Sequence, residues 1–138
     1  MLKTLGSVAI ISGIFSTTAL AQDITLACQY TDASGFIWQN GRWDQGRFNT
    51  MPPFFMKLSA GRLDPSGAAL EGTSSEFDCS SRQVAADVHV CYTPFGTSVV
   101  YNAKAGNGAV SQMFGALMPP LAETKDTVTV SLFVCQEM

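Results

Sequence analysis

The chain has one histidine, His89, which lies two positions after Asp87. On a strand these two side chains would point to the same side of the sheet. With one of the many serines they would supply the residue types of a Ser-His-Asp triad. Parallel side chains are poor geometry for such a triad, however, and the chain contains no Gly-x-Ser-x-Gly elbow. We therefore interpret His89 as a partly exposed strand histidine rather than a catalytic one.

Paired carboxylates are the second arrangement that would do chemistry, because two such groups can cleave a glycosidic bond. The candidates are Asp44, Glu71, Glu76 and Asp78. Glu76 and Asp78 lie beside Cys79 in a serine-rich stretch, which is typical of a solvated loop. A lone histidine also argues against a transition-metal site, and there is no glycine-rich phosphate loop. We expect no cofactor and no metal, and we keep a small hydrolase as an alternative hypothesis.

Four cysteines are present: Cys28, Cys79, Cys91 and Cys135. An even number in an exported chain predicts two disulfides, and four cysteines allow three pairings. We favour Cys28–Cys135, which would tie the first strand to the last, together with Cys79–Cys91, which would close a local excursion. The alternative is Cys28–Cys79 with Cys91–Cys135. No pair has C-x-x-C spacing, so the sequence disfavours a zinc site.

Asn40-Gly41 lies between two aromatic-rich flanks. This pattern predicts a hairpin, because a type I′ turn needs positive φ at both central residues. A two-residue turn would set Trp38 opposite Trp43. The two indoles would either cap one side of the core, as large aromatics usually do, or form a platform for a partner. The candidate ligand or partner surface comprises Trp38, Arg42, Trp43 and Arg47.

Period-two alternation of apolar residues predicts short strands in several other places. These are residues 24–30, 54–58, 84–92, 97–102 and 127–135, with one more short strand around Ala69-Leu70. In the last of the long segments, four apolar side chains share one face: Val128, Val130, Leu132 and Val134. Turns are expected at residues 32–35 and 64–67 by composition.

One segment has helical rather than strand spacing. Val110, Met113, Phe114 and Leu117 follow i, i+3, i+4 and i+7, which predicts a short helix that the prolines after Met118 would end. The sum is six or seven antiparallel strands with one short helix. We therefore predict an all-β fold, a small disulfide-stapled barrel or sandwich.

Residues 1–21 have the order of a secretory signal: Lys3, an apolar run, then small residues ending at Ala21. The run is too short for a membrane span, which needs about 20 apolar residues. We predict cleavage after Ala21 and one domain over residues 22–138, with an uncleaved anchor or a buried N-terminal helix as the alternatives. Residues 25–28 faintly match a lipoprotein box, but Thr25 stands where an aliphatic residue is expected, so lipidation of Cys28 is not expected.

Charge narrows the class of partner. Loss of Lys3 with the signal leaves seven basic and 11 acidic residues, a net charge of −4. An acidic chain argues against nucleic acid and against anionic lipid surfaces. The sequence therefore predicts a periplasmic or secreted, non-enzymatic binding module without a transmembrane segment. Its ligand would be a protein, a small molecule or a glycan of the envelope, and a purely structural envelope component is a further alternative.

Overall fold

A computed structural model describes residues 23–68, 76–79, 85, 87–113 and 126–138. These contain eight strands and one 3₁₀ turn at Ser66–Ala68. The strands are β1 (Ile24–Gln39), β2 (Arg42–Arg47), β3 (Phe54–Ser59), β4 (Arg62–Asp64), β5 (Val88–Tyr92), β6 (Thr97–Asn102), β7 (Asn107–Gln112) and β8 (Thr127–Glu137). No helix in these ranges is long and apolar enough to cross a membrane. Glu71, the expected strand at residues 69–70 and the signal segment lie outside the described residues.

The strands form a nearly closed antiparallel barrel of seven, in the order β4-β3-β1-β8-β7-β6-β5. The predicted all-β, disulfide-stapled barrel is therefore confirmed. Strand β2 stands outside this path, because it pairs with β1 alone. β1 serves two neighbours on one side: its first half pairs with β3 and its second half with β2.

The turn expected at residues 32–35 is wrong, because β1 runs through it as one 16-residue strand. The residues that favour a turn lie instead next to a β-bulge between Tyr30 and Asp32. There the Asp32 carboxylate accepts a hydrogen bond from the Ala33 N–H at 2.8 Å. Gly35 is needed for a different reason. A Cβ there would collide with the carbonyl oxygen of Val128 on β8, so only glycine lets the two strands approach.

The disulfides Cys28–Cys135 and Cys79–Cys91 are both formed, as predicted. Cys28 lies directly opposite Cys135 across β1 and β8, so this bond staples the two central strands of the barrel. Next to it, the 1% exposed Phe133 ring packs against three aromatic rings: Tyr30, Phe54 and Tyr101. These rings and the first disulfide form the centre of the core.

Strand β8 alternates as predicted, but burial falls on the face that carries fewer apolar residues. Ser131 and Phe133 are buried, whereas Val130 and Leu132 are 41% and 49% exposed. The disulfide determines which alternate residues of β8 point into the core. Cys135 must point inward to reach Cys28, so every second residue from Cys135 points inward too, and the Val-Leu row points out.

Two further expectations need correction. The helix expected to begin at Val110 is wrong there, because β7 holds Val110 between Val99 of β6 and Ser131 of β8. Two flanking strands supply the hydrogen bonds that outweigh a weak helical spacing; residues 114–125 lie outside the described ranges. The sequence also missed β4, which follows a tight turn with positive φ at Ala60 (50°) and Gly61 (75°).

Candidate functional site

The hairpin formed by residues 34–47 adds β2 to the sheet beside the second half of β1, and we call it the arm; residues 34–37 also pair with β8. Asn40 and Gly41 have φ values of 53° and 77°, as the predicted two-residue turn requires. Gln39 then pairs with Arg42, and Trp38 with Trp43. None of residues 34–47 is buried, so the arm lies outside the core.

The two indoles of the arm contact each other edge to face. Their ring centroids are 5.4 Å apart and the planes meet at 65°. This geometry favours the contact of a positive ring edge with a negative ring face, worth about 0.5–1.5 kcal/mol beyond area burial. Trp43 is 37% exposed, and neither indole belongs to the core cluster of the described residues. Their position therefore favours the platform interpretation over that of a core cap.

Three polar side chains of the arm, Gln39, Arg42 and Asp44, lie on the side opposite the indoles, whereas Gln45 and Arg47 share the indole side. The Asp44 carboxylate accepts a hydrogen bond from the Gln39 amide at 3.0 Å and forms an ion pair with Arg42 Nε, also at 3.0 Å. The Arg42 side chain is 74% exposed, so this ion pair adds little to stability. Strand alternation, not this ion pair, places Arg42 on the side away from the tryptophans.

The indole face of the arm continues onto the outside of the barrel. Residues paired across strands lie on the same side of a sheet, and so do residues two apart along a strand. Phe36 lies two residues before Trp38, and it pairs with Val128 of β8. The same side of β8 then presents Val130 and Leu132.

From Leu132 the row extends to β7 and β6. Leu132 pairs with Ala109, and Ala109 pairs with Val100, which is 40% exposed. One side of the sheet thus carries a continuous series of partly exposed apolar side chains. We call it the apolar outer face, and it comprises Phe36, Trp38, Trp43, Val100, Val130 and Leu132.

The apolar outer face is comparable in size to the largest apolar patch that a typical monomer leaves in water. Five of the six side chains are between 37% (Trp43) and 50% (Phe36) exposed, and Trp38 is partly buried; together they leave on the order of 400 Å² of apolar area accessible. A patch of about 300–600 Å² is the largest that a typical monomer shows, and it is often functional. Polar and charged residues border it, including Asp32 opposite Leu132 and Arg47 opposite Ser34.

Of the four residues in the predicted surface, the structure brings three together. Trp38, Trp43 and Arg47 lie on the same side of the arm, whereas Arg42 lies on the opposite side with Asp44. Sequence reasoning missed Val130 and Leu132 as surface residues. The signal was available, because pairing Cys28 with Cys135 already implies that the even-numbered residues of β8 point away from the core.

The catalytic candidates do not form a site in the described part of the chain. Asp87 is exposed and precedes β5. His89 is half-buried, lies opposite Tyr101, and stacks on its ring at 6.4 Å between centroids. Asp78 accepts a hydrogen bond from the Tyr92 hydroxyl at 3.1 Å, and Glu76 is exposed.

Titration and metal binding add no second candidate. Within the described ranges, no group of three or more His, Cys, Asp or Glu side chains is placed to hold a metal ion. Burial raises the pKa of Tyr30 to about 12. Burial, with the negative charge of Glu137 as a smaller cause, also raises the pKa of Tyr101. Both phenols line the core, so these raised pKa values describe packing rather than catalysis.

Comparison with known proteins adds no relative from which a role could be carried over. A scan against protein-family models, a search of curated proteins and a search of solved structures found no match to this chain. The features of this chain that bear on a role are therefore the apolar outer face and the arm that extends it.

Proposed function

We propose that this protein is an exported, non-enzymatic binding module that engages a partner protein through the apolar outer face. The observation that supports this most is the inverted burial of β8. Val130 and Leu132 are exposed to solvent, while a serine takes the inward position between them. Leaving large aliphatic side chains in water is unfavourable by about 25 cal/mol per Å², and a partner would remove that cost.

The shape of the surface favours a protein over a small molecule. The face crosses five strands, β2, β1, β8, β7 and β6, as one side of a sheet. Small ligands usually occupy concave pockets, whereas protein partners cover broad faces with an apolar centre and a polar rim. Here Asp32 and Arg47 belong to such a rim. Tryptophan and arginine at one end of the face are also typical of binding hot spots.

Export is the second element of the proposal. Two disulfides, with no free cysteine among the described residues, fit an oxidising compartment. We propose that the secretory signal is removed after Ala21 and that the protein acts in the periplasm or beyond. The intact mass of protein recovered from the envelope fraction would test both points. It should correspond to a chain that begins at Gln22 and has lost four thiol hydrogens.

The function is tested by capture with a matched variant. The exported protein, expressed as the full chain with a carboxyl-terminal tag, is recovered from an envelope extract and its complexes are weighed by native mass spectrometry. We expect a stoichiometric protein adduct on the natural chain and its loss from Trp43→Ala, at unchanged folding of the barrel. A small-molecule or glycan adduct would overturn the protein-partner proposal, and so would a protein adduct that Trp43→Ala retains in full.

A further inference from the structure

Strand β2 has one edge that no other strand of the described residues covers. Gln39 and Arg42 flank the two-residue turn and form its closing hydrogen-bonded pair. Hydrogen-bonded and non-bonded pairs alternate along an antiparallel ladder, so the N–H and C=O groups of Trp43, Gln45 and Arg47 point away from β1. Within the described residues these six groups have no backbone partner, since β2 pairs only with β1.

The same alternation is visible on the far side of β1. The N–H of Trp38, which is not used toward β2, donates to the Asp126 carbonyl oxygen at 2.8 Å. The assignment of outward-pointing groups on β2 therefore agrees with an observed hydrogen bond. An edge of this kind is a template for another strand.

We propose that two copies of this chain associate by antiparallel pairing of β2 with β2, with Gln45 opposite Gln45 of the second copy. This association uses the outer backbone edge of the arm, and Trp43 is the one residue of the apolar outer face that it involves. Each copy contributes the outward groups of Trp43, Gln45 and Arg47, so the two edges are self-complementary. The symmetry closes after two copies and leaves no further free β2 edge.

Side-chain chemistry selects this register over its neighbours. With Gln45 on the twofold axis, Trp43 lies opposite Arg47 of the second copy, and the reverse pair repeats the contact. An arginine over an indole gives a cation–π contact, which therefore occurs twice. A register centred on Asp44 would set two carboxylates directly opposite each other, which is destabilising. A register centred on Gly46 would set Trp43 opposite Asn49, which lies beyond the end of β2.

The charged residues of β2 need a separate explanation, because charges often protect a sheet edge. In the proposed register no like charges meet: Asp44 faces Gly46 of the second copy, and Arg42 faces Phe48. The charges would therefore specify the register rather than block pairing. Because the axis is perpendicular to the sheet, the two apolar outer faces lie on the same side and form one surface.

The experiment is sedimentation velocity of the oxidised, exported protein over a range of concentrations. Gln45→Pro removes the N–H that faces the second copy but no hydrogen bond between β1 and β2. Gln45→Ala keeps that N–H and is its matched control. We expect a dimer for the natural chain and for Gln45→Ala, and a more than tenfold higher dissociation constant for Gln45→Pro. A natural chain that stays monomeric, or a dimer that Gln45→Pro leaves unchanged, would overturn the proposal.

A second pair of variants keeps the test valid if the proline disturbs the arm. Arg47→Glu should raise the dimer dissociation constant by about five- to thirty-fold, since it removes two exposed cation–π contacts. Arg62→Glu makes the same charge change on β4 and should leave the constant unaltered. Equal effects of the two substitutions would show that net charge, not β2 pairing, controls association.

Discussion

Replacement of Trp43 by alanine should weaken the arm while the barrel remains folded. The indole is 37% exposed and its described ring contact is with Trp38, not with a core residue. The free energy lost should therefore be that of the edge-to-face pair, about 0.5–1.5 kcal/mol, plus a small area term. We expect a total of about 1–2 kcal/mol, or a melting temperature lower by roughly 3–12 °C for a domain of this size.

Loss of a core aromatic ring should lower the free energy of unfolding much more than loss of Trp43. Phe133→Ala removes a ring that is 1% exposed and packs against three aromatic neighbours. That substitution should cost about 3–5 kcal/mol, which is much of the stability of a small domain. Urea unfolding followed by far-ultraviolet circular dichroism would measure both variants. Phe133→Ala thus shows what loss of a true core aromatic looks like in the same assay.

A double-mutant cycle isolates the indole pair. The free energies of unfolding are compared for the natural chain, Trp38→Ala, Trp43→Ala and the double variant. We expect a coupling energy of about 0.5–1.5 kcal/mol, because each single variant already removes the shared contact. The reasoning would be refuted by additive effects, or by a Trp43→Ala protein that loses its cooperative transition, since either result would place the indole in a different environment.

The remaining predictions concern the staple, the backbone and the core. Joint replacement of Cys28 and Cys135 by alanine should lower the free energy of unfolding by about 4–5 kcal/mol, because the bond closes a span of 107 residues; urea unfolding measures it. Gly35→Ala should prevent the close approach of β8 and destabilise the fold by about 3 kcal/mol, whereas Gly41→Ala, with open space around its φ of 77°, should cost about 1–2 kcal/mol in the same assay. Burial keeps Tyr30 neutral in the folded state, so stability present below pH 10 should fall by about 2–3 kcal/mol as the pH rises toward 12; Tyr30→Phe should flatten that decline in unfolding measured at a series of pH values.

Local chemistry explains which parts of the fold were predictable. Asn40-Gly41 specifies a turn by itself, because few other residue pairs tolerate positive φ at both positions. Once the turn is placed, the opposition of Trp38 and Trp43 follows by counting residues. The disulfide pairing was predictable for a similar reason, since linking the first strand to the last fits an antiparallel barrel.

The features that the sequence did not reveal depend on neighbours distant in the chain. Glycine is common in turns, so the sequence predicts a turn at Gly35. Its place in a strand is explained only by the close approach of β8. Val110 begins an apolar pattern with helical spacing, but β6 and β8 flank it and provide the hydrogen bonds of a sheet. The exposed row on β8, on which the proposed function depends, was missed for the same reason, because Val130 and Leu132 resemble core residues until the inward direction of Cys135 is considered.

The central claim is that the apolar outer face binds a partner, and one comparison tests it most directly. Leu132→Asp places a charge in the middle of this face at a position that is 49% exposed. Phe55→Asp places the same charge at an exposed aromatic on β3, outside the face. Native mass spectrometry of both variants after capture from envelope extract should show the partner adduct on Phe55→Asp and none on Leu132→Asp. An adduct of equal amount on both folded variants would contradict the account.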